Sequence, residues 1–207
     1  MNITTSSAAA SRPVRAVTVH LWRGVGRRLA RFRHRRRMRL AARHPDQLRT
    51  RIERARTIVF VCLGNIIRSA FAAQLLRSRL TARADVHVRS AGLATTPGNP
   101  ADATAILCAQ RFGVDLRAHR THSLDRSDLE EADILLVMEV DHIVDLQRRF
   151  PEYLPKIYLF GCLTGSDPVD VADPLRRPPE VFAACFEQID RGVRRILEIR
   201  SSVARDA

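Results

Sequence analysis

Cys62 and Arg68 stand with five residues between them in the stretch Val61-Cys62-Leu63-Gly64-Asn65-Ile66-Ile67-Arg68-Ser69. A cysteine attacks as its thiolate, and an anion is what loop amides, a helix N-terminus and a nearby arginine accommodate. The guanidinium fork matches two oxygens of a tetrahedral oxyanion. Five intervening residues let the loop curl until the arginine faces the sulfur, so the spacing points to covalent phosphoryl chemistry. The Ser69 hydroxyl can donate to the sulfur. Gly64 is expected to take a backbone conformation closed to other residues, and Asn65 to brace the loop through its amide. Leu63, Ile66 and Ile67 complete the set of loop residues that would surround a bound phosphate.

Such a loop needs a strand to bring it in and a helix to carry it away. Thr57–Val61 is a short β-branched and aromatic run, and the helical run from about Ser69 to Leu80 follows the loop. The rhythm then repeats. Val86-His87-Val88 predicts a second strand ending at Ser90-Ala91-Gly92, and Pro100 to Phe112 predicts a helix with Gly113 as its left-handed cap. Ser127-x-x-Glu130 reads as a capping box. The apolar run Ile134–Met138 has the character of a central parallel strand. A helix over Asp141–Phe150, a strand over Ile157–Phe160 and a last helix over about Glu180–Ile199 complete the series. The expected fold is α/β, an open, doubly wound, four-stranded parallel sheet with helices on both faces and a phosphate-binding loop after the first strand. Ligands of such sheets sit beyond the carboxyl ends of the strands, where Cys62 lies.

The charge is unevenly distributed. The chain carries a formal +13, yet residues 1–56 hold 16 basic and two acidic residues, a net +14, while the rest is close to neutral at −1. The basic excess therefore belongs to an extension and gives no reason to read the domain as a nucleic-acid binder. Residues 1–54 are expected to form a basic extension, partly amphipathic helix or disordered, residues 55–202 the domain, and 203–207 a tail. Within the extension, Leu21, Val25, Leu29 and Phe32 recur at helical spacing among arginines, with Trp22 beside them. Residues 17–43 thus have the pattern of a segment that lies on an anionic membrane surface; a solvated arginine-rich arm with no specific partner, a nucleic-acid contact and a transit peptide are the other readings of the same pattern. His44-Pro45-Asp46 breaks that pattern, and the stretch to Arg56 reads as a link. No apolar run is long enough to span a bilayer. Four scattered cysteines without a C-x-x-C pair suggest free thiols and a cytoplasmic setting.

Together, the loop, Arg89-Ser90-Ala91-Gly92, His119-Arg120, Ala132–Met138 and Asp173-Pro174 resemble the low-molecular-weight protein tyrosine phosphatase family over about residues 55–200. The resemblance implies that Cys62 attacks phosphorus to form a phosphocysteine and that Arg68 binds the phosphate and stabilises the transition state. Asn65 and Ser69 would organise the loop. The aspartate of the late Asp-Pro would protonate the leaving oxygen and then activate water. Asp173 is preferred over Asp167 because in the resemblance the acid lies shortly before the final helix. No metal or other cofactor is implied. The implied partners are a phosphorylated protein, phosphotyrosine first, or a small phosphate ester.

Three positions depart from the family. Ile67 stands where a second cysteine is usual, so peroxide should inactivate Cys62 without an intraloop disulfide. Leu175 replaces the aromatic usual after Asp-Pro, and Ala94-Thr95-Thr96-Pro97-Gly98 lacks the aromatic of the facing wall. Ile66 matches tyrosine-type members. Two other readings stand beside this one. A thiol-dependent arsenate reductase would need cysteines in relay, and Cys108 and Cys162 are isolated. A non-catalytic phospho-binding or membrane-associated module would need a broken Cys62, Arg68 or Asp173.

Overall fold

The structure is a computed structural model, and it describes residues 45–80, 86–167 and 169–203. The expected amphipathic segment over 17–43 lies outside the described residues. Four strands, β1 (Thr57–Cys62), β2 (His87–Gly92), β3 (Ile134–Val137) and β4 (Ile157–Leu159), form one sheet in the order β2-β1-β3-β4. Every pairing is parallel. The register sets Cys62 opposite Gly92 and Val61 opposite Val137, so the loops after β1, β2 and β3 leave the sheet at one edge. The expected parallel α/β architecture is the one observed.

Alternation along β1 serves two buried faces, as a central parallel strand requires. Ile58, Phe60 and Cys62 enter the large core, with Ile134 and Leu136 beside them. That core is filled by α1 (Pro45–Arg54), α2 (Arg68–Arg79), α3 (Ala103–Gln110) and α6 (Pro179–Val203). Its centre is aromatic: Phe71 of α2 stacks on Phe186 of α6 with ring centroids 3.8 Å apart, and Phe112 meets both rings edge-on. Val59, Val61, Leu135 and Val137 are buried on the other face of the sheet. The short helix α4 (Arg126–Glu131) contributes Leu129 to the buried set, and α5 (Val140–Arg149), which packs on β3 and β4, contributes Leu146.

Three local expectations change. The stretch before Arg56, read as a link, is the helix α1. Leu48 and Ile52, four apart, are buried against the core, and Arg200 of α6 donates to the carbonyls of Ile52 and Ala55 at 2.8 Å each. Pro45 opens this helix, where its missing N–H costs nothing. The capping box of α4 is built from Asp125 and Asp128 instead of Ser127 and Glu130. Asp125 accepts from the Asp128 N–H, and Asp128 accepts from the Asp125 N–H in return. Helix α3 is shorter than expected because Asp102, whose carboxylate accepts from the Ala105 N–H, sets its start. Gly113 does adopt the left-handed conformation after it.

Candidate active site

The loop Leu63–Ile67 crosses from the carboxyl end of β1 to the start of α2. The residue before α2, Ile67, offers no side-chain cap. The first amides of the helix are therefore left for loop atoms, water or an anion. The loop is tied down from three sides through its backbone. Leu93 and Ala94 donate to the carbonyls of Cys62 and Leu63, and Asp102 donates to Ile66. Gly92 makes this approach possible, since a Cβ there would sit 3.0 Å from the Leu63 carbonyl oxygen and 2.8 Å from Thr95.

Asn65 holds the loop in shape. It is fully buried and has φ of 54°, a left-handed conformation that costs a non-glycine residue energy. Four hydrogen bonds secure it. Its N–H donates to Cys62 Sγ at 3.2 Å, its Nδ2 donates to Ser69 Oγ at 2.9 Å, and its Oδ1 accepts from the His122 N–H at 2.9 Å. Its carbonyl meets His119 Nε2 at 2.7 Å, and because a carbonyl only accepts, Nε2 carries the ring proton. Gly64 does not have a positive φ, and a Cβ there would meet only the Ile66 side chain at 3.5 Å. The conformation expected of the glycine falls to its neighbour, whose amide secures it.

Cys62 Sγ lies 3.0 Å from Ser69 Oγ, which also approaches the Ala91 carbonyl at 3.3 Å. Against a thiolate the hydroxyl is the donor. Arg68 is buried to 2% of its surface, yet its guanidinium has full company. Nη1 donates to the Glu139 carboxylate and to the Val171 carbonyl, and Nη2 pairs with Asp173 Oδ2 at 2.7 Å. Burial works against this cation, but Cys62, Glu139 and Asp173 outweigh it and hold its pKa above the usual value. The structure thus brings Cys62, Asn65, Arg68, Ser69 and Asp173 together. Asp173 also accepts from the Leu175 N–H at 3.2 Å, closing a turn that keeps its carboxylate over the loop. Asp167 sits at an exposed bend and makes no such contact.

Around this floor, Leu63 and Leu175 are exposed at 48% and 41%, Ile66 is half-buried, and Ile67 is buried in the core. No local sequence signal marks Glu139, although it stands at the carboxyl end of β3, where ligand-facing groups of a parallel sheet are found. His142 supports it: the Glu139 N–H donates to Nδ1 of the buried imidazole, which must then be neutral with its proton on Nε2. Burial lowers the His142 pKa, Glu139 opposes that shift, and Arg68 adds to it. Neither His119 nor His142 is hydrogen-bonded to Cys62. The other thiols are free, and burial raises the pKa of Cys108 and Cys162 and pushes Cys185 up to about 12. His122, Asp125 and Asp128 converge as metal ligands could, but Asp125 and Asp128 serve the α4 cap and His122 pairs with Asp128 at 2.7 Å.

The sequence model of the family described as low molecular weight phosphotyrosine protein phosphatase matches residues 57–207. The chain belongs to that family. Membership makes it a phosphatase, and attack by a loop cysteine is typical of the group. The phosphatase is 36% identical over 138 residues to the probable low molecular weight protein-tyrosine-phosphatase EpsP of Ralstonia nicotianae, covering 67% of this chain and 91% of that protein. It is 35% identical over 137 residues to Wzb of Escherichia coli K12, covering 66% and 90%. Among solved structures, the tyrosine phosphatase AmsI of Erwinia amylovora superposes with a TM-score of 0.64 at 30% identity, over 70% of this chain and 92% of that one. The YwlE arginine phosphatase of Geobacillus stearothermophilus gives 0.66 at 30% identity, over 72% and 96%. No helix among the described residues is long and apolar enough to cross a membrane.

Proposed function

We propose that this phosphatase hydrolyses phosphate monoesters, protein phosphotyrosine first among them, with Cys62 as nucleophile, Arg68 as phosphate and transition-state ligand, and Asp173 as general acid and base. The observation that carries this reading is the ion pair of Arg68 with Asp173 at the mouth of the loop whose amide and hydroxyl donors surround Cys62 Sγ. In the first step the Cys62 thiolate attacks phosphorus, the bond to the ester oxygen breaks, and the proton of Asp173 passes to that oxygen. In the second step water attacks the phosphocysteine while the Asp173 carboxylate takes its proton. The P–S bond breaks, and phosphate leaves with the thiolate restored. Arg68 supplies two parallel donors to the equatorial oxygens in both steps, together with the N–H groups of residues 63–69. Leu63, Gly64, Asn65, Ile66, Ile67 and Ser69 form the phosphate-binding wall.

Turnover of a small aryl phosphate tests the roles. Cys62→Ser is expected to lose at least about 10³-fold in kcat, and Asp173→Asn roughly 10²- to 10⁴-fold. Asp167→Asn should stay near parental activity. Full activity in Cys62→Ser, or a dead Asp167→Asn beside a normal Asp173→Asn, overturns the assignment. Phosphotyrosine peptides should turn over ahead of phosphoserine and phosphoarginine peptides, because Ile66 in the loop is of the tyrosine type.

The charge of residues 1–56 supports a peripheral association of a cytoplasmic enzyme with an anionic membrane surface through residues 17–43. Deleting residues 1–44 should abolish co-sedimentation with phosphatidylserine vesicles and leave aryl phosphate turnover intact. Vesicle binding that survives the deletion excludes this segment as the anchor.

A further inference from the structure

An open cavity of about 650 Å³ lies beside the phosphate loop, and none of Cys62, Arg68 or Asp173 lines it. Three elements each present an arginine to it: Arg77 from α2, Arg89 from β2 and Arg120 from the loop before α4. Arg89 is neutralised by Glu131 at 2.6 Å. Arg77 and Arg120 have no carboxylate partner among the described residues. Arg77 donates to the Val88 carbonyl at 3.2 Å, and Arg120 donates to the carbonyls of Arg117 and His119. Each guanidinium carries five donors, so both have capacity to spare. The carboxylates that line the cavity are already engaged. Asp115 is held by Arg117 in a two-pronged pair that lowers its pKa to about 2, and Asp128 pairs with His122 while accepting from the Asp125 N–H.

Both unpaired arginines act on the same side chain. His119 is half-buried, burial lowers its pKa, and Arg77 and Arg120 lower it further. The two cations and His119 line the same cavity, and the His119 ring is hydrogen-bonded to the Asn65 carbonyl. The volume falls within the range of small-molecule sites and exceeds what a bare phosphate fills. Ala118 is exposed and adds apolar surface beside the cations, with Leu116 buried behind it. We infer that this cavity is a second anion site, taking a small phosphorylated organic molecule whose phosphate sits on Arg77 and Arg120 and whose organic part lies against Ala118. Guanidinium groups with free donors are the groups that bind phosphate oxygens in pairs. The site is independent of the hydrolytic reading, since it uses none of the proposed catalytic groups.

Calorimetry and amide NMR on the full-length Cys62→Ser protein, which cannot form a phosphocysteine, test the inference with adenosine 5′-monophosphate and inorganic phosphate as probes. Two equivalents of the nucleotide are expected, one shifting residues 63–69 and the other shifting Gln74–Arg77 and Ala118–His122. Inorganic phosphate should occupy only the first. Arg77→Gln combined with Arg120→Gln should remove the second equivalent alone, and the same pair in the Cys62 protein should leave aryl phosphate turnover unchanged. A single nucleotide equivalent confined to residues 63–69, or a second equivalent that survives the double substitution, overturns the site. Inorganic phosphate filling both positions as tightly as the nucleotide overturns the phosphorylated organic molecule as its ligand. A parent enzyme inert toward aryl phosphates would refute the hydrolytic reading and leave this result standing.

Discussion

The floor and the rim of the active site are built on different terms. The floor is buried and cross-linked: Asn65 makes four hydrogen bonds, Ser69 Oγ lies against Cys62, Asn65 and Ala91, and Arg68 is bound by two carboxylates and a carbonyl. The rim is exposed and sparsely bonded, with Leu63 and Leu175 open to solvent and Thr95 making one weak contact to the Thr96 carbonyl at 3.4 Å. A reaction that stabilises one transition state needs donors fixed in place before the substrate arrives. Substrate choice needs only a shaped surface, which can change without disturbing those donors. The difference teaches that the reaction and the preference for a substrate are separable in this molecule, and substitutions in each region should show it.

Beyond the proposed nucleophile and acid, the largest effect is expected at Asn65. Asn65→Ala keeps the left-handed backbone demand, loses the links to Ser69 and His122, and leaves the His122 N–H without its acceptor. A stability loss of about 1–3 kcal/mol should follow, with a fall in kcat. Asn65→Gly removes the backbone strain but not the missing links, so its melting temperature should recover more than its rate. Equal recovery of both would show that the side-chain network does not serve catalysis. Glu139→Gln should come next. It keeps the shape beside Arg68 but removes one charge, and a rate loss of roughly 10- to 100-fold is expected from a guanidinium less firmly held. Parental kcat in that variant would place the control of Arg68 with Asp173 and Val171 alone.

A smaller, pH-dependent effect tests how the floor is supported. His119 and His142 both have pKa values lowered from 6.5 in the folded protein, chiefly by burial. Below that value the unfolded chain binds more protons than the folded one, so stability rises with pH through this window. The contribution is complete above about pH 6.5 and is lost progressively as the pH falls below it. Melting temperatures of parent and His142→Gln between pH 5 and 7.5 should show a flatter dependence in the variant, and parallel curves would refute the buried neutral imidazole. The mildest change belongs to the rim. Leu175→Trp should raise kcat/KM for an aryl phosphate by roughly 2- to 10-fold, in line with about 0.5–1.5 kcal/mol for an added aromatic contact. Melting temperature and turnover of a small alkyl phosphate should stay unchanged.

The same division explains what could be read from the residues in order. β1, the loop and α2 are contiguous, and their hydrophobic pattern and the Cys62–Arg68 spacing are local signals, so the sheet and the floor were legible. Glu139 lies 71 residues from Arg68 in sequence and announces itself only when β3 aligns beside β1. Gly64 drew the expectation of unusual backbone because glycine permits it, yet Asn65 takes that role through hydrogen bonds to His119 and His122, which lie far away in the chain. Helix α1 looks like a link in sequence because its apolar signal is two residues, Leu48 and Ile52, whose partners on α6 come at the other end of the domain. The cap of α4 moved by two residues because several acceptors crowd one turn, and spacing alone does not rank them.

Arg200 gives this arrangement a mechanical consequence. By gripping the carbonyls at the end of α1 from α6, it closes the first and last helices of the described residues into a latch around the start of β1. A pull on the chain upstream of Pro45 would load that latch first. The strand that ends in Cys62 would feel the load only once the grip on Ile52 and Ala55 had failed.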